Sequence, residues 1–291
     1  MTVGFNGGEL AATAVAVETL GAVEVDGEGF EDPYARTPRG FRPSARGAWQ
    51  PDEIRRSMQV YAVTDSAWLA GRSLSECVAD ALRGGATFVQ LREKGIPHED
   101  MVSLARGILP LCREAGVPFV INDDVAAARE VGADGVHVGQ DDMACAEARA
   151  ALGDDAIIGV SVQTLEQALK AQAEGADYLG VGAMFGTSTK ADAQSVSRET
   201  LAAICASVDI PVVIIGGIKA ENVGEFVGVD FDGAAVVSAI FAADDIVAAT
   251  EELVEAVSAV IGDHAEPTSG VGKRASAGSC DAVAVGGGQA N

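Results

Sequence analysis

Short apolar segments alternate with amphipathic segments along the central part of the chain. Each apolar segment has four to six residues, and hydrophobic side chains fill it instead of alternating with polar ones. Continuously apolar strands are typical of parallel sheets that are buried on both faces. The pattern therefore predicts eight buried strands. They are Gln59–Thr64, Phe88–Arg92, Pro118–Asn122, Gly135–Val138, Ile157–Val160, Tyr178–Val181, Val212–Ile215 and Gly233–Val237.

Each predicted strand is followed by a segment whose apolar residues recur at helical spacing. Eight strand–helix units in roughly 200 residues favour an α/β fold of the closed (β/α)8 type, a TIM barrel. A doubly wound open sheet is the alternative. Its Gly-rich dinucleotide loop is missing after the first strand, where the chain reads VTDSAWLAGRS. The predicted helices are Leu74–Arg83, Glu99–Glu114, Val125–Val131, Ala144–Leu152, Leu165–Glu174, Arg198–Ala206, Asn222–Val227 and Asp245–Ile261.

The two ends of the chain lack these patterns. Residues 1–57 combine Gly-rich acidic sequence with YARTPRGFRPSARGAWQPDEIRRS, which shows neither strand alternation nor a sustained helical stripe. Residues 265–291 are rich in Gly, Ser and Ala, and have too little large apolar surface to offset the entropy lost on ordering. We therefore expect one barrel domain at residues 58–264, between a flexible or poorly ordered N-terminal extension and a flexible C-terminal tail.

The chain is strongly acidic. It has 20 Lys and Arg residues against 43 Asp and Glu residues, a formal net charge of −23. This charge disfavours nucleic acids and acidic membranes as partners, so any anion site must be built locally. An acidic surface with few lysines favours a salt-adapted protein, because salt screens self-repulsion; an acidic protein without such adaptation is the alternative. The five lysines are Lys94, Lys170, Lys190, Lys219 and Lys273.

The cysteines are odd in number, scattered and without metal-ligand spacing, which indicates a reducing compartment. No N-terminal segment joins a charged region to a short apolar core, and no apolar run reaches the roughly 20 residues that span a bilayer. We expect a cytoplasmic protein without a membrane partner, and homo-oligomer formation stays open. The cysteines are Cys77, Cys112, Cys145, Cys205 and Cys280.

In a barrel of this kind the active site lies in the loops that follow the strands, at the carboxyl end. Polar residues follow strands two to six, so we expect them on one rim. They are Gln90, Arg92, Glu93 and Lys94; Asn122, Asp123 and Asp124; His137, Gln140, Asp141 and Asp142; Ser161; and Thr187, Ser188, Thr189 and Lys190.

A phosphate site is predicted at the ends of strands seven and eight. Gly216 and Gly217, with Val237 and Ser238, offer backbone N–H groups at the position where this fold commonly binds phosphate. A tight turn at the glycine pair is the alternative.

A second anion site is predicted beside two carboxylates. Asp123 and Asp142 follow adjacent strands, where a hard cation such as Mg²⁺ can be held together with phosphate oxygens. Solvated loop acids are the alternative. Three cations, Arg92, Lys94 and Lys190, converge on the same rim, which predicts a receptor for a departing diphosphate. A structural ion-pair network among the neighbouring charges is the alternative.

The rim shows no catalytic nucleophile. No Ser–His–Asp or Cys–His arrangement occurs among these motifs, so the chemistry they predict needs no covalent intermediate with the protein. His137 lies in the alternating run GVHVG, and we interpret it as a packed, hydrogen-bonded histidine and not as an acid or base.

Six segments carry a resemblance to a known family. They are VQLREK, INDDVAAAREVGADGVHVGQDDM, IGVSV, ADYLGVGAMFGTSTK, IPVVIIGGI and GAAVVSAIF. In order and spacing they resemble the signature segments of the thiamine phosphate synthase family, from Val60 to about Val260. The resemblance implies a (β/α)8 barrel and a transferase. Its reaction joins 4-amino-2-methyl-5-hydroxymethylpyrimidine diphosphate to hydroxyethylthiazole phosphate and releases pyrophosphate, with Mg²⁺ as cofactor.

The resemblance also implies a role for each rim residue. The metal ligands would be Asp123 and Asp142. The pyrimidine diphosphate would be bound by Gln90, Leu91, Arg92, Glu93, Lys94, Asn122, Ser161 and Lys190. The thiazole phosphate would be held by Thr187, Ser188, Thr189, Gly217, Val237 and Ser238. Catalysis, by neutralising the charge of the leaving group, would rest on Arg92, Lys94, Ser161 and Lys190.

The resemblance has one departure and leaves three alternatives. The family often has proline before TST, where this chain has Gly186, so we expect a more mobile loop. A related thiazole tautomerase would not need the full diphosphate set. A phosphosugar isomerase on this fold would need an acid–base pair that the sequence does not suggest. A non-catalytic barrel that binds thiamine precursors as a regulator would be expected to have lost a metal carboxylate or a diphosphate cation.

Overall fold

The computed structural model describes residues 48–186 and 195–262. Within them, eight parallel strands close into a barrel in sequence order, with helices between the strands. This confirms the predicted (β/α)8 barrel, and every predicted strand lies within two residues of its observed bounds. The strands are β1 Val60–Val63, β2 Phe88–Leu91, β3 Phe119–Asn122, β4 Gly135–Val138, β5 Ile157–Val162, β6 Tyr178–Val181, β7 Val212–Ile215 and β8 Gly233–Val236.

Nine α-helices occur in the described residues, and most begin at a side-chain cap. Ser73 and Glu76 form a capping box at α2, and Asp245 accepts the N–H of Ala248 at 3.0 Å at α9. The helices are α1 Pro51–Ser57, α2 Leu74–Arg83, α3 His98–Ala115, α4 Val125–Val131, α5 Cys145–Leu152, α6 Leu165–Ala173, α7 Arg198–Cys205, α8 Ser238–Phe241 and α9 Ile246–Ile261. Short 3₁₀ turns lie at Ser66–Trp68 and Val223–Phe226.

The strand side chains divide between two apolar clusters, which explains why the strands are apolar throughout. The outer cluster packs between the strands and the helices and includes Val60, Val89 and Ile121. The inner cluster fills the barrel. Its strand members are Tyr61, Val63, Phe88, Val120, Ile157, Tyr178, Val213 and Ala235. A strand in this position is buried on both faces, so it has no polar alternation.

The structure corrects the expected N-terminal boundary. Little regular structure was expected up to residue 57, yet Pro51–Ser57 form α1, with Gln50 and Glu53 in a capping box. Ile54 and Met58 of this segment join the inner cluster and close the amino end of the barrel. A seven-residue helix with two inward apolar residues is too short for its periodicity to be visible in the sequence. Residues 1–47 and 263–291 lie outside the described residues.

One predicted helix is shorter than expected. The Asn222–Val227 segment forms only a 3₁₀ turn, Val223–Phe226, and the Asn222 side chain does not cap it. Gly224 lies inside the turn, and Gly228 follows with a left-handed φ of 86°. Two glycines so close together disfavour a full α-helix.

The described residues contain no helix that combines the length and the apolar character needed to cross a membrane. The four cysteines among them, Cys77, Cys112, Cys145 and Cys205, are all free thiols.

Candidate active site

A cavity of about 390 Å³ opens at the carboxyl end of the barrel. This is the end at which barrels of this type carry their active sites. Side chains and backbone from most strand ends line it, so the structure brings most of the predicted rim together. The predicted site residues that line the cavity are Gln90, Arg92, Lys94, Asn122, Asp123, Asp142, Ser161, Gly217, Val237 and Ser238.

Two carboxylates lie in contact at one side of the cavity. Asp123 leaves β3 with a left-handed φ of 61°, a conformation that costs a residue other than glycine about 1 kcal/mol. Its carboxyl group is in hydrogen-bond contact with that of Asp142, whose Oδ2 also accepts the N–H of Gly139 at 2.8 Å. Partial burial and the Asp142 carboxylate raise the pKa of Asp123 to about 6, although Lys94 and Arg92 act in the opposite direction. Burial beside a second carboxyl group disfavours the charged form of Asp123, and a bound cation would stabilise that form.

The cationic side of the cavity is formed by the chain that follows β2. The side chain of Arg92 is 13% exposed, and its Nη1 lies 3.8 Å from Oδ2 of Asp65, which follows β1. The Arg92 N–H donates to Oγ1 of Thr64 at 2.9 Å. Lys94 is exposed to the cavity. The backbone of Arg92 is thus fixed by Thr64, and its guanidinium lies near Asp65. The side chain of Lys94 is more exposed.

Two predicted site residues point elsewhere. The Leu91 side chain is fully buried in the outer cluster, because alternate residues of a strand face opposite sides of the barrel. The Glu93 carboxylate accepts the hydroxyl of Thr64 at 2.9 Å and the N–H of Ser66 at 3.0 Å. The structure therefore does not bring these two side chains to the cavity. Glu93 instead braces the loop after β1 that carries Asp65.

The glycine pair after β7 both turns the chain and lines the cavity. Gly216 and Gly217 have positive φ values of 98° and 68°. A Cβ at these positions would lie 2.6 Å from Cβ of Ala183 and 2.8 Å from Cβ of Phe185, so only glycine fits. The Phe185 N–H donates to the Gly216 carbonyl at 3.0 Å. The pair thus anchors the start of the loop that follows β6.

Four predicted site residues, Thr187, Ser188, Thr189 and Lys190, lie outside the described residues, and their assignment stays a prediction. The chain on either side of them is held close to the cavity. Gly186 lines the cavity, and the Val196 N–H donates to the Ala183 carbonyl at 2.8 Å.

His137 is buried, and both of its ring nitrogens have hydrogen-bond partners, as the sequence predicts. Nδ1 lies 2.9 Å from the hydroxyl oxygen of Tyr178, and Nε2 lies 2.8 Å from Oγ of Ser161. His137 is thus part of the floor beneath Ser161.

Two polar cavity residues, Gln163 and Lys219, were not placed on the rim in the sequence analysis. Gln163 lies on the extension of β5, two residues beyond Ser161, so the same alternation that selects Ser161 would have selected it. Lys219 follows the glycine pair, and its Nζ lies 3.3 Å from Oε1 of Glu221. Asp141 precedes Asp142 and also lines the cavity. Arg92, Lys94 and Lys219 are the cations that line it among the described residues.

The chain matches a family model described as thiamine monophosphate synthase over residues 60–240. It is 47% identical over 196 residues to a thiamine-phosphate synthase of Ruminiclostridium cellulolyticum, which covers 67% of this chain and 93% of that protein. It is 44% identical to a thiamine-phosphate synthase of Clostridium botulinum, over 67% of this chain and 92% of the relative.

A solved structure supports the same likeness. The thiamine phosphate pyrophosphorylase of Pyrococcus furiosus superposes with a TM-score of 0.67 at 41% identity. The match covers 72% of this chain and all of the Pyrococcus chain. The matched part is the barrel, which carries every described residue of the cavity.

Proposed function

This chain belongs to the thiamine monophosphate synthase family, and from this premise we propose the reaction of its cavity. The enzyme condenses 4-amino-2-methyl-5-hydroxymethylpyrimidine diphosphate with hydroxyethylthiazole phosphate. The products are thiamine phosphate and pyrophosphate, so the enzyme is a transferase of thiamine biosynthesis. The observation that carries this assignment is the meeting of Arg92 and Lys94 with the Asp123–Asp142 pair in one cavity.

The carboxylate pair fits a magnesium ion. The Asp123 and Asp142 carboxyl groups are in contact, and burial, together with the Asp142 carboxylate, raises the pKa of Asp123, so a nearby cation would stabilise its charged form. No group of three or more acidic, cysteine or histidine side chains in the described residues forms a metal site. Two protein carboxylates, with substrate phosphate oxygens and water as further ligands, match the way Mg²⁺ binds to proteins. When bound, Mg²⁺ would neutralise charge on the diphosphate.

The protein side chains bind and align the pyrimidine substrate. Arg92 and Lys94 offer N–H donors to the diphosphate oxygens, and the stabilisation grows as negative charge collects on the leaving group. Asn122 and Gln90 also line the cavity with amide groups. Loss of pyrophosphate leaves a pyrimidinylmethyl cation that the thiazole nitrogen captures. No protein nucleophile takes part, so catalysis rests on charge neutralisation and on the alignment of two bound partners.

The thiazole phosphate is assigned to the opposite side of the cavity. Gly217 follows β7, and Val237 and Ser238 follow β8; all three line the cavity. The Asn222 side chain donates to the Gly217 carbonyl at 2.8 Å and so fixes the turn. The backbone N–H groups there can approach a phosphate closely, because no side chain extends from Gly217. The hydroxyls of Thr187, Ser188 and Thr189 are assigned to the same substrate, and Lys190 to the diphosphate, by the family resemblance alone.

Partners and cell location are assigned from the substrates, the net charge and the free thiols. The substrates are small molecules, and the net charge of −23 disfavours nucleic acid and acidic membranes. We assign the protein to the cytoplasm, where free thiols such as the four described ones persist.

The test is a reconstitution with the purified full chain. Both substrates are supplied with Mg²⁺, pyrophosphate is measured by a coupled assay, and the organic product is identified by mass. We expect equal amounts of thiamine phosphate and pyrophosphate, and neither product when either substrate is left out. Pyrophosphate without thiamine phosphate would indicate a hydrolase. Isomerisation of the thiazole alone would indicate a tautomerase.

A further inference from the structure

A continuous chain of hydrogen bonds runs through the interior of the barrel and ends in the cavity. Nε2 of Gln90 lies 2.5 Å from the hydroxyl oxygen of Tyr61, which lies 2.7 Å from that of Tyr178. The Tyr178 hydroxyl lies 2.9 Å from Nδ1 of His137, and Nε2 of His137 lies 2.8 Å from Oγ of Ser161. Five side chains on five strands thus form a chain of four consecutive hydrogen bonds. Gln90 and Ser161, at the two ends of this chain, line the cavity.

One direction satisfies all four bonds when each group passes its proton to the next member of the chain. An amide nitrogen only donates, so Gln90 donates to Tyr61. In this direction, the one hydroxyl proton of Tyr61 goes to Tyr178, and that of Tyr178 goes to Nδ1 of His137. Nδ1 accepts, so the ring proton lies on Nε2 and is donated to Ser161. Burial raises the pKa of both tyrosines well above the usual range, so both hydroxyls keep the protons that this direction needs.

The barrel makes room for this chain. Gly159 stands between His137 and Tyr178 in the strand register, and a Cβ there would lie 2.3 Å from the Tyr178 hydroxyl oxygen and 2.5 Å from Nδ1 of His137. A Cβ on Gly180 would lie 3.3 Å from Cε1 of His137. The two glycines therefore leave the space in which the histidine ring meets the tyrosine hydroxyl.

We propose that Tyr61, Tyr178 and His137 are positioning residues, which hold His137 as the neutral Nε2–H tautomer and leave the Ser161 proton to donate into the cavity. This inference rests on the proposed function, in which Ser161 contacts the pyrimidine diphosphate. Oγ of Ser161 accepts the Nε2–H of His137. The hydroxyl proton of Ser161 is then free to be donated to substrate oxygens or ring nitrogens. A donor held in this way needs no reorganisation when charge develops on the leaving group.

The first experiment measures the tautomer without substrate. The chain has three histidines, so replacing His98 and His264 by Asn leaves His137 as the only imidazole signal. Long-range ¹H–¹⁵N spectra of this full-length protein should show the neutral Nε2–H tautomer. In the same background, Tyr178→Phe removes the donor to Nδ1, and the Nδ1–H tautomer should appear beside it. The proposal is overturned if the protein with Tyr178 intact shows an Nδ1–H tautomer or an imidazolium. It is also overturned if Tyr178→Phe leaves the tautomer of His137 unchanged.

The second experiment is a double-mutant cycle in steady-state kinetics. Tyr178→Phe should lower kcat roughly 3- to 30-fold, the size expected from one lost orienting hydrogen bond, with the KM for thiazole phosphate unchanged. In a Ser161→Ala background the same substitution should change kcat less than about twofold, because the oriented group is already gone. Equal effects in both backgrounds would overturn the positioning role.

A matched control separates positioning from stability. Thr250→Val removes a buried hydroxyl that only donates to the Ile246 carbonyl of its own helix, at 2.7 Å. It should lower the free energy of unfolding and leave kcat unchanged.

Tyr61→Phe interrupts the hydrogen-bond chain one bond further from Ser161 and replaces Tyr178→Phe if that variant does not fold. Absence of product from the wild-type protein would reject the proposed function alone, since the tautomer is measured without substrate.

Discussion

Aspartates lie at both ends of the barrel, but their partners differ: backbone N–H donors at the amino end, and a second carboxyl group at the carboxyl end. At the amino end, Asp134, Asp177 and Asp232 directly precede β4, β6 and β8. Each of them accepts a backbone N–H from the preceding strand, at 2.8, 2.7 and 2.8 Å. At the carboxyl end, Asp123 and Asp142 face each other.

The amino-end aspartates act as structural acceptors. Asp177 also accepts from Arg149 at 2.6 Å, and Asp232 from Arg55 of α1 at 2.5 Å. Three of the four even-numbered strands are thus preceded by a carboxylate that accepts an N–H of the neighbouring strand; before β2, the Thr87 hydroxyl accepts the Val60 N–H instead, at 3.0 Å. Buried or partly buried carboxylates in such positions are stabilised by hydrogen bonds and ion pairs together.

Within the described residues, the carboxyl-end pair accepts one backbone N–H, that of Gly139, which donates to Asp142. Asp123 adopts a left-handed backbone conformation and stands against another acid. Strain and like charges that lower stability are expected where the chain binds a ligand. The same residue type therefore stabilises the fold at one end and, in the function we propose, binds a cation at the other.

The largest effect is expected from removing a carboxylate at the carboxyl end. Asp142→Ala should lower kcat by roughly 100- to 1,000-fold at saturating Mg²⁺, since the diphosphate would leave without its neutralising cation. The free energy of unfolding should change little. Both are measured by steady-state assays and urea unfolding.

The neighbouring Asp124 provides the control for that substitution. Its side chain caps α4 by accepting the Ala127 N–H at 2.8 Å and does not line the cavity. Asp124→Ala should lower stability by about 1 kcal/mol and leave kcat within a few fold. If both aspartates had equal effects on kcat, the carboxylate pair would not be a metal site.

At the amino end the expectation is reversed. Asp232→Ala leaves the Val212 N–H and the Arg55 guanidinium without this acceptor, which should lower the free energy of unfolding by about 2–3 kcal/mol. The value of kcat for the folded fraction should be unchanged. Asp230→Ala, two residues earlier and exposed, is the control and should stay within about 0.5 kcal/mol. A loss of kcat without a loss of stability would break the contrast between the two ends.

The smallest effect is a gain in stability. The folded-state pKa of Asp123, about 6, lies above the usual range of an unfolded Asp. Its ionisation therefore opposes folding: the penalty is absent below about pH 4, grows up to pH 6 and is complete above it. Without Mg²⁺, Asp123→Asn should stabilise the protein at pH 7.5 by about 0.5–1 kcal/mol, allowing for solvent screening, and should give no gain at pH 4. Unfolding midpoints at both pH values, with exposed Asp155→Asn as control, check this.

The barrel could be predicted from the sequence because its determinants are local. Each strand is buried on both faces, so Tyr178–Val181 and its counterparts stand out as apolar segments between amphipathic ones. The ends of these strands then locate the rim, which is why the sequence alone predicts Arg92 and Asp142 as rim residues.

What could not be predicted depends on contacts between distant segments. The orientation of Glu93 is decided by Thr64 on another strand, and the role of α1 by its fit under the barrel. The acceptor role of Asp232 requires Arg55, which lies 177 residues away in sequence. The Tyr61–Tyr178–His137 chain joins three strands. No periodicity marks contacts of this kind, because each depends on the closed geometry of the barrel.

The central claim is that Asp123 and Asp142 hold the cation that neutralises the diphosphate. It is tested most directly by initial rates of pyrophosphate release across a range of Mg²⁺ concentrations, for the wild-type protein and for Asp123→Asn. Loss of one of two charged ligands should raise the half-saturating Mg²⁺ concentration by about tenfold or more, and excess Mg²⁺ should restore part of the rate. The same half-saturating Mg²⁺ concentration and the same maximal rate in both proteins would contradict the account.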